Sequence, residues 1–409
     1  MPVLHNVRQL ATCRARGKQQ EIHAVPDAAL AWEGPTLRWA GPAAELPADF
    51  AGWERRDAGG RLVIPGLVDC HTHLAFGGWR ADEWERRIAG ATYLEIARAG
   101  GGIARTVRDT RAAPEEELLE RARGFLAEMR PLGVTTAECK SGYGLSVEEE
   151  IKLLRVYRHL AREGPTRIAP TLLGAHTVPP EYRERRADYV RLVCDEMIPR
   201  AAEEGLAEFC DVFVEEGAFS VEEARAVLEA GKRHGLRPKL HADQLSDGGG
   251  ALLAAEVGAA SADHLEHASE AGIRAMAEAG VVAVSLPFAS LGLGQPPLAA
   301  RRFIDAGVAV AVATDFNPGS APSFHLPFAM SLACTVQRMT PAETLKGATI
   351  LAARAIGREG EIGSLEVGKR ADWVEIDSPD VAHWLYHLRG NAAVRTVIGG
   401  ATVWEAPER

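Results

Sequence analysis

A TIM-type (β/α)8 barrel, carrying a small β-sandwich-like domain built from both chain termini, is the α/β fold class this sequence predicts. Three observations lead there. Between residues 63 and 361 compact apolar segments alternate with amphipathic ones, the pattern of βαβ units in a parallel sheet. Residues 1–62 and 362–409 are both turn-rich, short of helical periodicity and strand-like, so that the ends can pair across the central insert. Histidines and aspartates of the central region fall just beyond its apolar segments, where barrels collect their polar residues.

The chain's 409 residues are long enough for one large barrel plus a small domain. With 46% hydrophobic and 25% charged residues, disordered and fibrous classes are excluded. The formal net charge of -10, with scattered basic residues, argues against nucleic-acid or anionic-membrane partners and leaves room for a local basic pocket. Six cysteines without C-x-x-C pairing fit buried free thiols in a reducing compartment. The opening MPVLHNVRQLATC lacks a basic-then-apolar leader, and no apolar run approaches ~20 residues. A cytoplasmic protein acting on a small molecule is the expectation.

In chain order, Gly or Pro at 34, 35, 41, 42, 47, 52, 59 and 60 divides the first segment into short strands. Eight barrel-strand candidates follow: Leu62 to Val68, Gly133 to Ala137, Ile168 to Leu173, Cys210 to Val214, Pro238 to Leu240, Ala260 to Ala262, Val281 to Leu286 and Val308 to Ala313. Ser146 with Glu149, Ser220 with Glu223 and Thr340 with Glu343 read as capping boxes that start helices. Ile151, Leu154, Tyr157 and Leu160 continue the first of these as an apolar stripe. Glu115 to Glu117 read as a solvated first turn after Pro114. Gly100 to Gly102 follow a helix-like segment rather than a strand, which suits a flexible joint better than a phosphate cradle. Ala371 to Ile376, Ala393 to Ile398 and Ala401 to Trp404 supply the closing strands.

The first barrel segment ends in His71, Thr72 and His73, and strand residues two apart point to one side. A bare His-x-His is equally a pair of surface histidines, so the reading depends on what lies downstream. Strand three ends in His176, strand five in His241, strand six in Asp263 and His264, and strand eight in Asp315. His71, His73, His241 and Asp315 supply three nitrogens and a carboxylate, which with a water describes a catalytic metal site better than a closed structural one.

PGLVDCHTH at 65 to 73, KLHAD at 239 to 243, SADH at 261 to 264 and AVATD at 311 to 315 resemble the metal-site signature of the amidohydrolase superfamily. Binuclear members carry a carboxylated lysine at the end of strand four. Here Glu215 and Glu216 stand there, and Lys140 falls in the loop after strand two, structural or facing substrate, so one divalent ion is expected. FGGWRADEWERRIAGATYLEIARAGGGI, ECKSGYGLS, LLGAHTVP and TDFNPGSAPS extend the resemblance over nearly the whole chain to the imidazolonepropionase family. That resemblance implies hydrolysis of 4-imidazolone-5-propanoate to N-formimino-L-glutamate in histidine catabolism, and a homodimer. Zinc is the first choice of metal, with iron or manganese compatible with the same ligands.

On that footing Asp315, also a ligand, is expected to shuttle the proton and His264 to polarise the carbonyl, unless His264 joins the ligands. Arg80 suits the substrate's propanoate, Tyr143 and Tyr93 face the ligand, and His176 reaches the ring or its oxygen. Gln244, where other members carry Glu, can bind the ring but cannot act as a base. Asn317, Gly319 and Ser320 are expected at the glutamate end of the product, with glycine leaving backbone N–H groups accessible. The rival readings are another cyclic amidohydrolase or a nucleobase deaminase on the same scaffold, and a metal-free non-catalytic scaffold.

Overall fold

A computed structural model of the chain describes residues 1–91, 95–96 and 99–407, so Tyr93 lies outside the described residues. Four strands open the chain: β1 (Pro2–Ala11), β2 (Ala24–Glu33), β3 (Thr36–Pro42) and β4 (Glu54–Pro65). Eight then alternate with helices: β5 (Leu67–Thr72), β6 (Val134–Lys140), β7 (Arg167–Ala175), β8 (Phe209–Val214), β9 (Arg237–Ala242), β10 (Ser261–His264), β11 (Val282–Ser285) and β12 (Val310–Val312). Three close it: β13 (Trp373–Ile376), β14 (Ala393–Ile398) and β15 (Ala401–Glu405).

Strands β5 to β12 form one eight-stranded sheet in chain order, every neighbouring pair parallel. Its two edges meet beside the first histidines. Asp315 N–H donates to the His71 carbonyl at 3.0 Å and His73 N–H to the Phe316 carbonyl at 2.8 Å, with Thr72 bridged to Phe316. The ring is thereby closed.

The remaining strands make a seven-stranded sheet in the order β15-β14-β13-β4-β1-β2-β3, so both ends of the chain do pair, β4 lying against β13. Trp32 on β2 and Trp373 on β13 are three places apart in that order, yet their rings stand edge to face with centroids 5.2 Å apart. The sheet curls over a core of its own that includes Leu4, Leu30, Val63 and Val397, which gives it a sandwich-like character.

The first expected barrel strand, Leu62 to Val68, divides between the two sheets. Up to Pro65 the chain belongs to the terminal sheet, and from Leu67 to the barrel. Gly66 makes the passage: its N–H donates to the Asp372 carbonyl at 3.0 Å, and a Cβ there would stand 2.3 Å from Thr135 Oγ1. A Gly66→Ala variant is expected to lose about 1–3 kcal/mol through overpacking. Thermal unfolding measures it; an unchanged midpoint would mean that Thr135 yields freely.

Strands two and five run longer than expected, to include Lys140 and His241. Ser220 and Thr340 form complete capping boxes with Glu223 and Glu343. Ser146 starts its helix without a side-chain cap bond, and the Glu149 carboxylate pairs with Lys152. Glu115, Glu116 and Glu117 occupy a first turn as expected. The Gly100 to Gly102 run joins a helix at a carboxylate contact. Gly102 N–H lies 3.1 and 3.2 Å from the carboxylate oxygens of buried Glu83, just before the helix Ile103–Ala112. All six cysteines are free. Among the described residues no helix is long and apolar enough to cross a membrane.

Candidate metal centre and active site

Closure of the barrel brings four donor atoms together at its C-terminal end. Asp315 Oδ1 lies 3.3 Å from His71 Nε2 and 3.4 Å from His73 Nε2, and His241 Nε2 lies 3.4 Å from His73 Nε2. The two-residue spacing does put His71 and His73 on one side. Asp315 and His264 hold φ values of 56° and 76°, in the left-handed region that side chains disfavour. Such strain costs about 1–3 kcal/mol per residue and gathers at functional sites.

A second layer of carboxylates fixes the imidazoles. Asp263 Oδ2 sits 2.6 Å from His71 Nδ1, and Asp211 Oδ1 sits 3.1 Å from both His241 Nδ1 and its backbone N–H. Each carboxylate accepts a hydrogen bond from Nδ1–H, the tautomer in which Nε2 keeps its lone pair for the centre. His71 Nε2 is buried and makes no hydrogen bond. A buried polar atom left unsatisfied costs about 1–3 kcal/mol, a penalty a metal ion would remove. The donor set fits a divalent cation.

Burial and Lys140 both lower the basicity of His71, but the hydrogen bond to Asp263 and the nearby Asp315 carboxylate outweigh them and push it up to about 9. Burial would likewise raise Asp315, yet contacts with His71 and His73 hold its carboxyl well below the usual range. His264 stands close by: one of its ring nitrogens lies within 4.8 Å of ligand atoms on His71 and His241. Burial pushes it down to about 4, so it is neutral at physiological pH, and its Nδ1 is buried without a hydrogen bond.

Above the centre opens a cavity of about 610 Å³ lined by His73, Arg80, Tyr143, His176, His241, Gln244, His264, Asp315, Asn317 and Ser320. His71, wholly buried, lies beneath it. The Arg80 guanidinium is held by Glu83 at 3.5 Å and by the Thr106 hydroxyl at 3.5 Å, while its Nε is buried without a hydrogen bond. His176 stacks on His73 with centroids 5.3 Å apart. Its Nδ1 donates to the Gly142 carbonyl at 3.0 Å, which leaves Nε2 as an acceptor. Burial, and then His73, push His176 down to about 3. The Tyr143 ring lies against both histidines.

Two expectations are corrected. Gly319 does not offer its N–H to a ligand. Asn317 Oδ1 accepts from Gly319 N–H at 2.8 Å and from Ser320 N–H at 2.9 Å, closing the turn on itself. A Cβ there would stand 1.4 Å from the Arg80 guanidinium, so a side chain at 319 would displace it. Lys140 is the last residue of β6 rather than a loop residue, and it is wholly buried against Glu138 and Asp211, away from any substrate. Glu215 and Glu216 do follow strand four, and neither belongs to a ligand-capable cluster among the described residues.

Sequence reasoning places Asp263 at the end of strand six without giving it a role and misses Asp211 altogether. Asp211 within FCDVFV and Asp263 within SADH are charges on apolar strands, a signal that they need buried partners. Glu150 accepts from the N–H groups of Gly142, Gly144 and Leu145 and so shapes the loop that carries Tyr143. Glu215 accepts from Leu245 N–H at 2.7 Å and holds the loop behind Gln244.

Residues 62–403 match the Amidohydrolase family. A protein from Geobacillus kaustophilus named imidazolonepropionase is 50% identical over 390 residues, covering 94% of this chain and 92% of that protein. A second, from Symbiobacterium thermophilum, is 53% identical over 349 residues, 85% and 82% of the two chains. Among solved structures, 5-methylcytosine deaminase from Klebsiella pneumoniae liganded with 5-fluorocytosine aligns with a TM-score of 0.77 at 18% identity, over 100% of this chain and 98% of its own. Atrazine chlorohydrolase from Arthrobacter aurescens complexed with zinc aligns with a TM-score of 0.70 at 16% identity, over 99% and 95%. At these identities the two structures speak to the fold alone.

Proposed function

The chain belongs to the imidazolonepropionases of the amidohydrolase family, and from that premise we propose how its own residues perform the reaction. It is a hydrolase that opens the cyclic amide of 4-imidazolone-5-propanoate, yielding N-formimino-L-glutamate in histidine degradation. We assign catalysis to the barrel, expected at residues 63–361 and beginning at Leu67 in the structure, and a supporting role to the composite domain expected at 1–62 with 362–409, whose sheet keeps the chain up to Pro65.

The observation that carries the mechanism is the gathering of His71, His73, His241 and Asp315 at the floor of the cavity. We take these four to hold one divalent ion, zinc first and iron second, which when bound supplies the Lewis acidity that makes a water nucleophilic at neutral pH. Asp315 accepts a proton as the water's oxygen bonds to the ring carbonyl carbon. His264, neutral, donates to the carbonyl oxygen as charge develops there. Asp315 then returns the proton to the ring nitrogen as the C–N bond breaks, and the carbonyl carbon ends as a carboxylic acid that ionises to the new carboxylate, giving the water's second proton to solvent.

Arg80 meets the propanoate with a paired guanidinium contact. His176 Nε2 accepts a ring N–H, Gln244 bonds the ring edge, and Tyr143 covers its face. Asn317, Gly319 and Ser320 shape the wall beside Arg80, while Tyr93 joins the binding set on sequence grounds. Support for the anion site comes from the sparse hydrogen bonding of the Arg80 guanidinium at the cavity wall. Arg80→Ala is expected to raise KM roughly 10- to 100-fold, the value of a charged hydrogen-bonded pair, with kcat little changed. Steady-state kinetics decide it; an unmoved KM would place the propanoate elsewhere.

Product analysis tests the reaction itself. Ring opening yields one formiminoglutamate per imidazolone consumed and no free ammonia, whereas a deaminase would release ammonia. Formiminoglutamate without ammonia is expected, and ammonia in its place would contradict the assignment. We further propose a cytoplasmic homodimer, to be checked by light scattering on the purified protein.

A further inference from the structure

Behind the two anchored histidines lies a wholly buried set of charges: Glu138, Lys140, Asp211, Lys239 and Asp263. The two lysines are placed very differently. Lys140 Nζ donates to Glu138 Oε1 and to Asp211 Oδ2, both at 2.7 Å, and lies 3.4 Å from Asp263 Oδ2. Glu138 and Asp211 take two of its three donors, and the Asp263 carboxylate stands beside it at ion-pair distance. Lys239 Nζ approaches Glu138 and Asp263 only to 3.9 and 4.0 Å, and its donors point to the carbonyls of Cys70 and Ala355 at 3.4 and 3.5 Å.

Asp211 uses one oxygen for Lys140 and the other for His241 Nδ1. Asp263 Oδ2 lies between His71 Nδ1 at 2.6 Å and Lys140, while its Oδ1 accepts from the Ser261 hydroxyl at 2.6 Å. A single ammonium therefore ties two carboxylate–imidazole pairs, contributed by β5, β8, β9 and β10, into one chain running from His241 through Asp211, Lys140 and Asp263 to His71. Carboxylates that orient a ligating imidazole contribute to metal affinity in their own right.

We propose that Lys140 is a positioning residue that couples His71 and His241 into one preorganised metal-binding pair. Lys239 only balances charge. This rests on the metal-centre reading above and does not depend on the identity of the substrate.

The test measures zinc affinity without any assay of turnover. Full-length protein is stripped with a chelator and titrated with zinc against a chromophoric competitor, with circular dichroism of the metal-free form as the check on folding. Lys140→Met is expected to bind zinc about 10- to 100-fold more weakly than wild type, the usual cost of losing an outer-shell partner, and Lys239→Met to stay within about threefold. Unchanged affinity in a folded Lys140→Met protein, or an equal loss in Lys239→Met, would overturn the proposal. Should Lys140→Met not fold, Lys140→Gln takes its place: it keeps a polar side chain toward Glu138 and Asp211 and removes the ammonium. A loss of at least about tenfold there supports the coupling and no loss refutes it. Wild-type protein that takes up no zinc would instead sink the metal-centre reading.

Discussion

Asp315→Asn is expected to cut kcat/KM by about 10²–10⁴-fold, the range that a positioned proton-transfer group contributes. The substitution keeps the shape of the side chain and removes its ability to accept and return a proton. It should leave the fold alone, because Asp315 sits at φ 56° and asparagine tolerates that backbone better than most residues. Its N–H still reaches the His71 carbonyl, so the last barrel strand stays closed against the first. Measured against wild type of equal metal content, near-normal turnover would remove Asp315 as the shuttle. An unfolded variant would mean that its contacts with His71 and His73 are structural first.

His241→Ala is the second large expected effect. It deletes one of the converging nitrogens and leaves Asp211 without the imidazole it orients. Outer-shell losses alone weaken metal binding 10- to 100-fold, so losing a direct ligand is expected to exceed about 100-fold. Metal analysis after gel filtration should find the variant nearly empty and its activity lost with the metal. Stoichiometric metal in that variant would place the ion elsewhere in the molecule.

Much of this arrangement is legible in the amino-acid sequence alone. The apolar run ending in His71 and His73, and the polar residues ending the later strands, locate the centre because βα barrels put strand ends on one face. Eight strand positions follow from apolar runs bounded by turns, and the pairing of the termini from their shared composition. Less legible are features set by contacts between distant segments. Gly66 switches the chain between sheets because Thr135 packs against it, which no local pattern reveals. Lys140 reads as a loop residue because the run GVTTA stops three residues short of it, whereas β6 continues through Glu138 and Lys140 into a buried charge network. Charged residues inside strands weaken an apolar pattern even when a tertiary partner neutralises them. The flexibility of Gly319 suggests anion binding, and the fold puts the Arg80 guanidinium against it instead.

The central claim is our proposal that a metal held by His71, His73, His241 and Asp315 drives the hydrolysis of 4-imidazolone-5-propanoate. Its most direct test follows the ultraviolet loss of freshly generated substrate, corrected for spontaneous decay, with native, chelator-stripped and metal-restored protein. Acceleration that disappears on stripping and returns with zinc or iron, with formiminoglutamate as product, is the expected result. Full acceleration by protein verified to contain no metal would contradict it.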